Sequence, residues 1–156
     1  MAITYTNITK AVLDSLESIC DAEFAPIPVE VAEKYNPDFM NKGEYLRMWM
    51  AGESELSKVA SGQIGGYDVE LVWYFNDLSF NKEKMLDEVI SPRIDRLKQL
   101  LYNNTSVSSG ATWYDLSIDS IQFPIDITVV DDLDLEGLEN IKVALMEITI
   151  SRGDFS

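Results

Sequence analysis

At 156 residues, with 46% apolar content and 6 Phe, 7 Tyr and 3 Trp, the chain has the size of a single domain spanning 1–156 and is too apolar to stay disordered. Its 27 acidic against 12 basic residues give a formal net charge of −15, which excludes a sequence-reading nucleic-acid binder because such a surface repels phosphate. No histidine and one cysteine, Cys20, remove the usual catalytic base, the commonest metal ligand and any internal disulfide.

In chain order, the opening residues Met1-Ala2-Ile3-Thr4-Tyr5 lack the basic and apolar regions of a secretory signal. No apolar run approaches the roughly 20 residues of a membrane span. The expectation is a product that is cytosolic when made, with no membrane partner. From Ile8 to Cys20, the residues Ile8, Ala11, Val12, Leu16 and Ile19 recur at three- and four-residue steps, which predicts an amphipathic helix with Thr6 or Asn7 as its cap. The three prolines within 24–37 disfavour helix, while Ile27, Val29 and Val31 alternate as a short strand would.

Residues 44–50 and 67–75 predict two strands. In the second, Tyr67, Val69, Leu71, Trp73 and Phe75 share one face opposite Asp68 and Glu70. The intervening 51–66 is too long for a tight turn and contains Gly52, Gly62, Gly65 and Gly66. These read as breakers and turn chemistry, within a protruding hairpin whose strands can continue through 55–60. A helix is predicted from near Asn81 to Asn103 or Asn104, with Leu86, Ile90, Ile94, Leu97 and Leu101 on one stripe. Pro92 interrupts it, giving either a kink or a new helix capped by Ser91. Later, Tyr114, Leu116 and Ile118 alternate, but Ile121 and Phe123 have the opposite parity, which predicts a bulge near Asp119 and Ser120. That strand can run on past Pro124 through 125–130. The final strand is expected over 141–152.

These elements describe an α/β (α+β) fold, a mainly antiparallel sheet with a long hairpin and helices packed on one face. The chemical motifs are weaker. Asp132, Asp134, Glu136 and Gly137 start like a calcium loop, but its twelfth position is Val143, not a bidentate carboxylate. Gly62-Gln63-Ile64-Gly65-Gly66 lacks the lysine and following helix of a phosphate loop. Cys20 has no histidine to activate it and fits helix packing. Catalytic, metal and cofactor sites are therefore all expected to be none. Asp131, Asp132, Asp134, Glu136 and Glu139 form either a solvated loop or, in a cyclic oligomer, a negative rim at the lumen or ring interface. Met48, Trp49 and Met50 next to the hairpin suit core packing on one face and subunit contact on the other.

The order of elements resembles that of the tail terminator proteins of long-tailed bacteriophages. The resemblance lies in an opening helix with Ile8-Thr9-Lys10-Ala11-Val12-Leu13, a hairpin ending in Gly66-Tyr67-Asp68-Val69-Glu70-Leu71, a helix with Leu97-Lys98-Gln99-Leu100-Leu101, and a closing strand over 143–152. It implies a structural virion protein, not an enzyme. Such a protein would form a homohexameric ring at the head-proximal end of the tail, ending tube polymerisation and joining tail to head or neck. Its partners would be further copies of itself, the tail tube protein, neck or connector proteins, and DNA that passes without specific binding. Exposure and charge nominate Glu53, Glu55 and Lys58, together with Met48, Trp49 and Met50, for tube or neighbour contact. A neck, head-completion or tail tube protein shares the same ingredients. A small carboxylate-dependent hydrolase would instead show a pocket with two carboxylates of displaced pKa, and a nucleic-acid mimic a continuous negative stripe.

Overall fold

The computed structural model describes residues 8–34, 43–59, 62–75, 85–103, 115–126 and 141–154. Helix α1 runs Ile8–Phe24, one turn beyond the predicted end at Cys20, and stops just before Pro26, which disfavours helix in the residue ahead of it. Val12, Leu13, Leu16, Cys20 and Phe24 are its buried stripe. Strand β1 (Val29–Val31) is the short strand anticipated from the alternation there. It pairs in parallel with β2 (Glu44–Val59), placing Val29 beside Leu46 and Val31 beside Met48.

The hairpin is longer and more regular than its glycines suggest. Strand β3 (Gly62–Phe75) pairs with β2 from Glu44 opposite Phe75 to Val59 opposite Gly62, with register shifts between Met50 and Gly52 and between Glu55 and Ser57. Gly62, Gly65 and Gly66 are therefore strand residues, which corrects the expectation of breakers and turn chemistry. Gly65 pairs with Glu55 on one side and Arg152 on the other. Two flanking ladders hold a backbone extended even where side chains offer no β preference.

The predicted second helix is resolved into a π-helical turn, Met85–Ile90, followed directly by α2 (Ser91–Asn103). A proline ring clashes with the carbonyl four residues back, and a wide π turn ahead of Pro92 relieves that clash without ending the helical path. The start near Asn81 lies outside the described residues, as do Thr6, Asn7 and 127–130. Strand β4 (Asp115–Asp126) slips register between Ile118 and Ser120, where the change of parity predicted a bulge, and again between Gln122 and Ile125. Strand β5 (Lys142–Asp154) closes the sheet.

Among the described residues, five strands lie in the order β1-β2-β3-β5-β4, antiparallel except for β1 with β2. Both helices cover one face. Leu16, Ile94, Leu97 and Leu101 pack there against Leu46, Met48, Val69, Leu71, Trp73, Met146 and Ile148, so the period-two face read from β3 is the core face. Trp73 is central to it, edge-on to Phe24 with centroids 4.8 Å apart and stacked on Phe75 at 5.9 Å. Aromatic pairs of this kind add about 0.5–1.5 kcal/mol beyond area burial. The second face has two characters. Tyr45, Arg47, Val72, Tyr74 and Val143 are buried at one end, while Trp49, Asp68 and Glu147 are exposed towards the other.

Candidate interaction surface

On the second face the bulge in β2 and the bulge in β4 lie close to the same level of the sheet. Met50 and Val69 stand one register step from Gly52 and Asp68, and Ile118 pairs with Ile148, itself the partner of Val69. Between the bulges is a recess of about 290 Å³ whose lining includes Ala51, Asp68, Glu70, Asp119 and Glu147. Four carboxylates from three strands thus face one patch, because acidic residues occupy alternate positions in β3 and the bulged residue of β4.

Neighbouring hydroxyls partly satisfy them. Thr149 Oγ1 lies 2.9 Å from Asp68 Oδ1 and 2.6 Å from Asp119 Oδ2, Ser117 donates to Asp119 at 3.1 Å, and Ser120 donates to Glu147 at 3.2 Å. A hydroxyl has one proton, so Thr149 serves one of its two carboxylates at a time and the other turns to solvent. The nearby cation is Arg47, whose side chain is only 2% exposed. Its Nη2 reaches Glu70 at 3.4 Å, its Nε donates to the Tyr74 hydroxyl at 3.0 Å, and its Nη1 donates to the Ala32 and Glu33 carbonyls at 3.0 and 2.8 Å. Trp49 borders the patch as the register partner of Glu70 and is 38% exposed.

A larger cleft of about 460 Å³ opens at the other end of the core, lined by Glu23, Phe24, Pro26, Glu44, Phe75 and Arg93 among others. Its two carboxylates are engaged by arginines. Arg93 forks onto both oxygens of Glu44 at 3.1 and 3.3 Å, and Trp73 Nε1 donates to Glu44 at 3.1 Å. Arg96 donates to Glu23, and this hydrogen bond holds the Glu23 carboxyl below its ordinary range. A general acid in a hydrolase needs a shift the other way. Cys20 is fully buried in α1, and desolvation pushes its thiol up to about 12, the state of a packing cysteine and not of a nucleophile. Among the described residues no group of three or more Cys, Asp or Glu side chains is arranged to hold a metal ion, and no described helix is long and apolar enough to cross a membrane.

The structure separates the residues nominated from sequence. Met48 is fully buried in the core and drops out of the contact set, because a side chain beneath the helices cannot meet another molecule. Met50 is half-buried against the same core, and Trp49 points to the opposite, open face. Glu53, Glu55 and Lys58 lie in β2, in register with Tyr67, Gly65 and Gln63. Asp131, Asp132, Asp134, Glu136 and Glu139 lie outside the described residues. Sequence reading passed over Arg47, Asp119 and Glu147. The available signal was polar residues at alternate positions, Glu147 and Thr149, inside an otherwise apolar strand.

No family model matches this chain, and no curated protein does. Among solved structures it is similar to a sheath/tube terminator from a cryo-EM structure of an extracellular contractile injection system in its extended state. The two are 13% identical with a TM-score of 0.39, over 99% of this chain and 60% of that one. The chain thus spans less than two thirds of that terminator's length.

Proposed function

We propose that this chain is a structural component of a tail-like particle, a tail terminator whose copies form a six-membered ring on the head-proximal end of the tail tube. The ring ends tube polymerisation and presents a different surface to the head or neck. Its action is geometric: one side matches the tube end, and the other offers no copy of the tube's own docking surface. The observation that supports this reading is the β2–β3 hairpin. Its pairing continues to Val59 and Gly62, while the last β4 pair among the described residues is Asp115 with Ser151, level with Gly66. Together with β5, which pairs with β3 as far as Asp154 opposite Gln63, the hairpin runs past β4 as a three-stranded arm available to a neighbouring subunit or the tube. In the ring, the acidic 131–139 stretch lines the bore or the ring interface, and like charge lets DNA pass without sticking.

Particles made without the chain test this. Tubes of uncontrolled length that fail to join heads are expected, with a tag on the chain marking only the head-proximal rim of complete particles. A tag at any other place on the particle, or normal particles without the chain, overturns the reading. Reversing the charges of Glu53, Glu55 and Lys58 together is expected to give uncapped tubes, and normal capping would remove the hairpin from the contact.

A further inference from the structure

We infer that the outer edge of β2 beyond Met48, together with the second face beside it, accepts an extended segment of a partner protein with lysine or arginine at alternate positions. Strand β1 shows which backbone groups of β2 point outward: Leu46 N donates to the Pro28 carbonyl at 2.9 Å, and Ala32 N donates to the Met48 carbonyl at 3.1 Å. Up to the register shift that follows Met50, even-numbered residues thus turn their N–H and C=O groups to the outside of the sheet. Met50 is next in that row, and among the described residues no strand pairs with β2 there. The ladder ends for a visible reason. Arg47 captures the carbonyls of Ala32 and Glu33, which draws the chain off the edge and over the second face just where β1 would otherwise continue.

An open strand edge is a template for another strand, and its surroundings define the chemistry of the occupant. An added strand lies one spacing, about 4.8 Å, outside β2 and about 10 Å from β3. From that distance a long basic side chain on the second face crosses Trp49 and reaches Asp68 and Glu70. An exposed indole face attracts such a cation, and Trp49 lies on the path. A second copy of this chain is a poor occupant, because it would bring its own share of a −15 charge to an already negative face. The surface follows from β2 and its neighbours and does not depend on the ring.

Two nine-residue peptides, one alternating lysine with valine and one alternating glutamate with valine, test this against the full chain by amide hydrogen exchange. The lysine peptide is expected to slow exchange of the Met50 amide about tenfold or more at saturation, since that N–H gains a strand partner. The glutamate peptide should leave it unchanged. Asp68→Asn, an exposed change that keeps the side chain's shape, is expected to weaken lysine-peptide binding about threefold. Lysine-peptide binding that leaves the Met50 amide unaltered is non-specific attraction and overturns the inference. So does equal protection by both peptides, or protection without peptide that grows with protein concentration, which would assign the edge to a second copy.

Discussion

Arg47 is buried within the second face of the sheet, and its Nε donates to the Tyr74 hydroxyl at 3.0 Å, with the guanidinium carbon 5.9 Å from the centroid of the same ring. Tyr74 in turn stacks on Tyr45 at 5.3 Å, and Tyr45 donates to Glu30 at 3.0 Å. The buried cation is thereby tied to β1, to the segment after it and to β3. Replacing Arg47 with Met leaves the Ala32 and Glu33 carbonyls and the Tyr74 hydroxyl without this donor. The expected loss is about 3 kcal/mol in urea unfolding. Tyr74→Phe removes one neutral partner and is expected to cost about 1 kcal/mol. If Arg47→Met were as stable as the parent, the guanidinium would not be what fastens this segment.

Two glycines separate backbone conformation from space. Gly43 has φ of +81° with nothing among the described residues within 4 Å of where a Cβ would stand, whereas at Gly52 a Cβ would meet Asp68 Oδ2 at an ordinary 3.7 Å. Gly43→Ala is expected to lower stability by about 1 kcal/mol despite the open surroundings, because the left-handed region strains any Cβ. Gly52→Ala, in a strand with no positive φ, is expected to raise stability by about 0.5 kcal/mol by restricting the unfolded chain. Paired thermal or urea melts read both signs.

Burial of Cys20 gives a pH dependence of definite sign. Desolvation raises its pKa from 9.0 to about 12, so the folded protein keeps a proton that the unfolded chain releases first. The contribution is fully present below about pH 9 and is lost as pH rises towards 12, with a slope of at most about 1.4 kcal/mol per pH unit. Cys20→Ala should lack this slope, so the stability difference between parent and variant should shrink or reverse on alkaline titration. At pH 8 a thiol reagent should modify Cys20 only as fast as the protein unfolds.

Where side chains alternate by burial, the fold was legible. The Tyr67 to Phe75 pattern gave the core face of β3, and the change of parity from Leu116 and Ile118 to Ile121 and Phe123 gave the slip beside Asp119. Where the determining contacts are distant, it was not. Gly65 and Gly66 show no pattern of their own and become strand because β2 and β5 pair with them on both sides. Arg47 interrupts an apolar run as a surface residue would, and its burial depends on carbonyls 14 and 15 residues earlier and a hydroxyl 27 residues later. The acidic patch was illegible for the same reason, since Asp68, Asp119 and Glu147 meet only once three strands are in register.

Thr149 is the hinge of that patch, set between Asp68 on β3 and Asp119 on β4. Thr149→Val keeps the β-branched shape and strand preference but removes the one donor the two carboxylates share. Both aspartates are exposed, so water replaces part of the loss, and the expected cost is about 1 kcal/mol. Their mutual repulsion is then less relieved, and because both carboxylates lie within 2.9 Å of one oxygen, it is salt near 1 M, where the screening length falls to about 3 Å, that should recover part of the deficit. Urea melts of parent and variant at low and high salt measure this directly. A deficit that does not change with salt would mean that Thr149 acts through packing in β5 and not through the carboxylates it bridges.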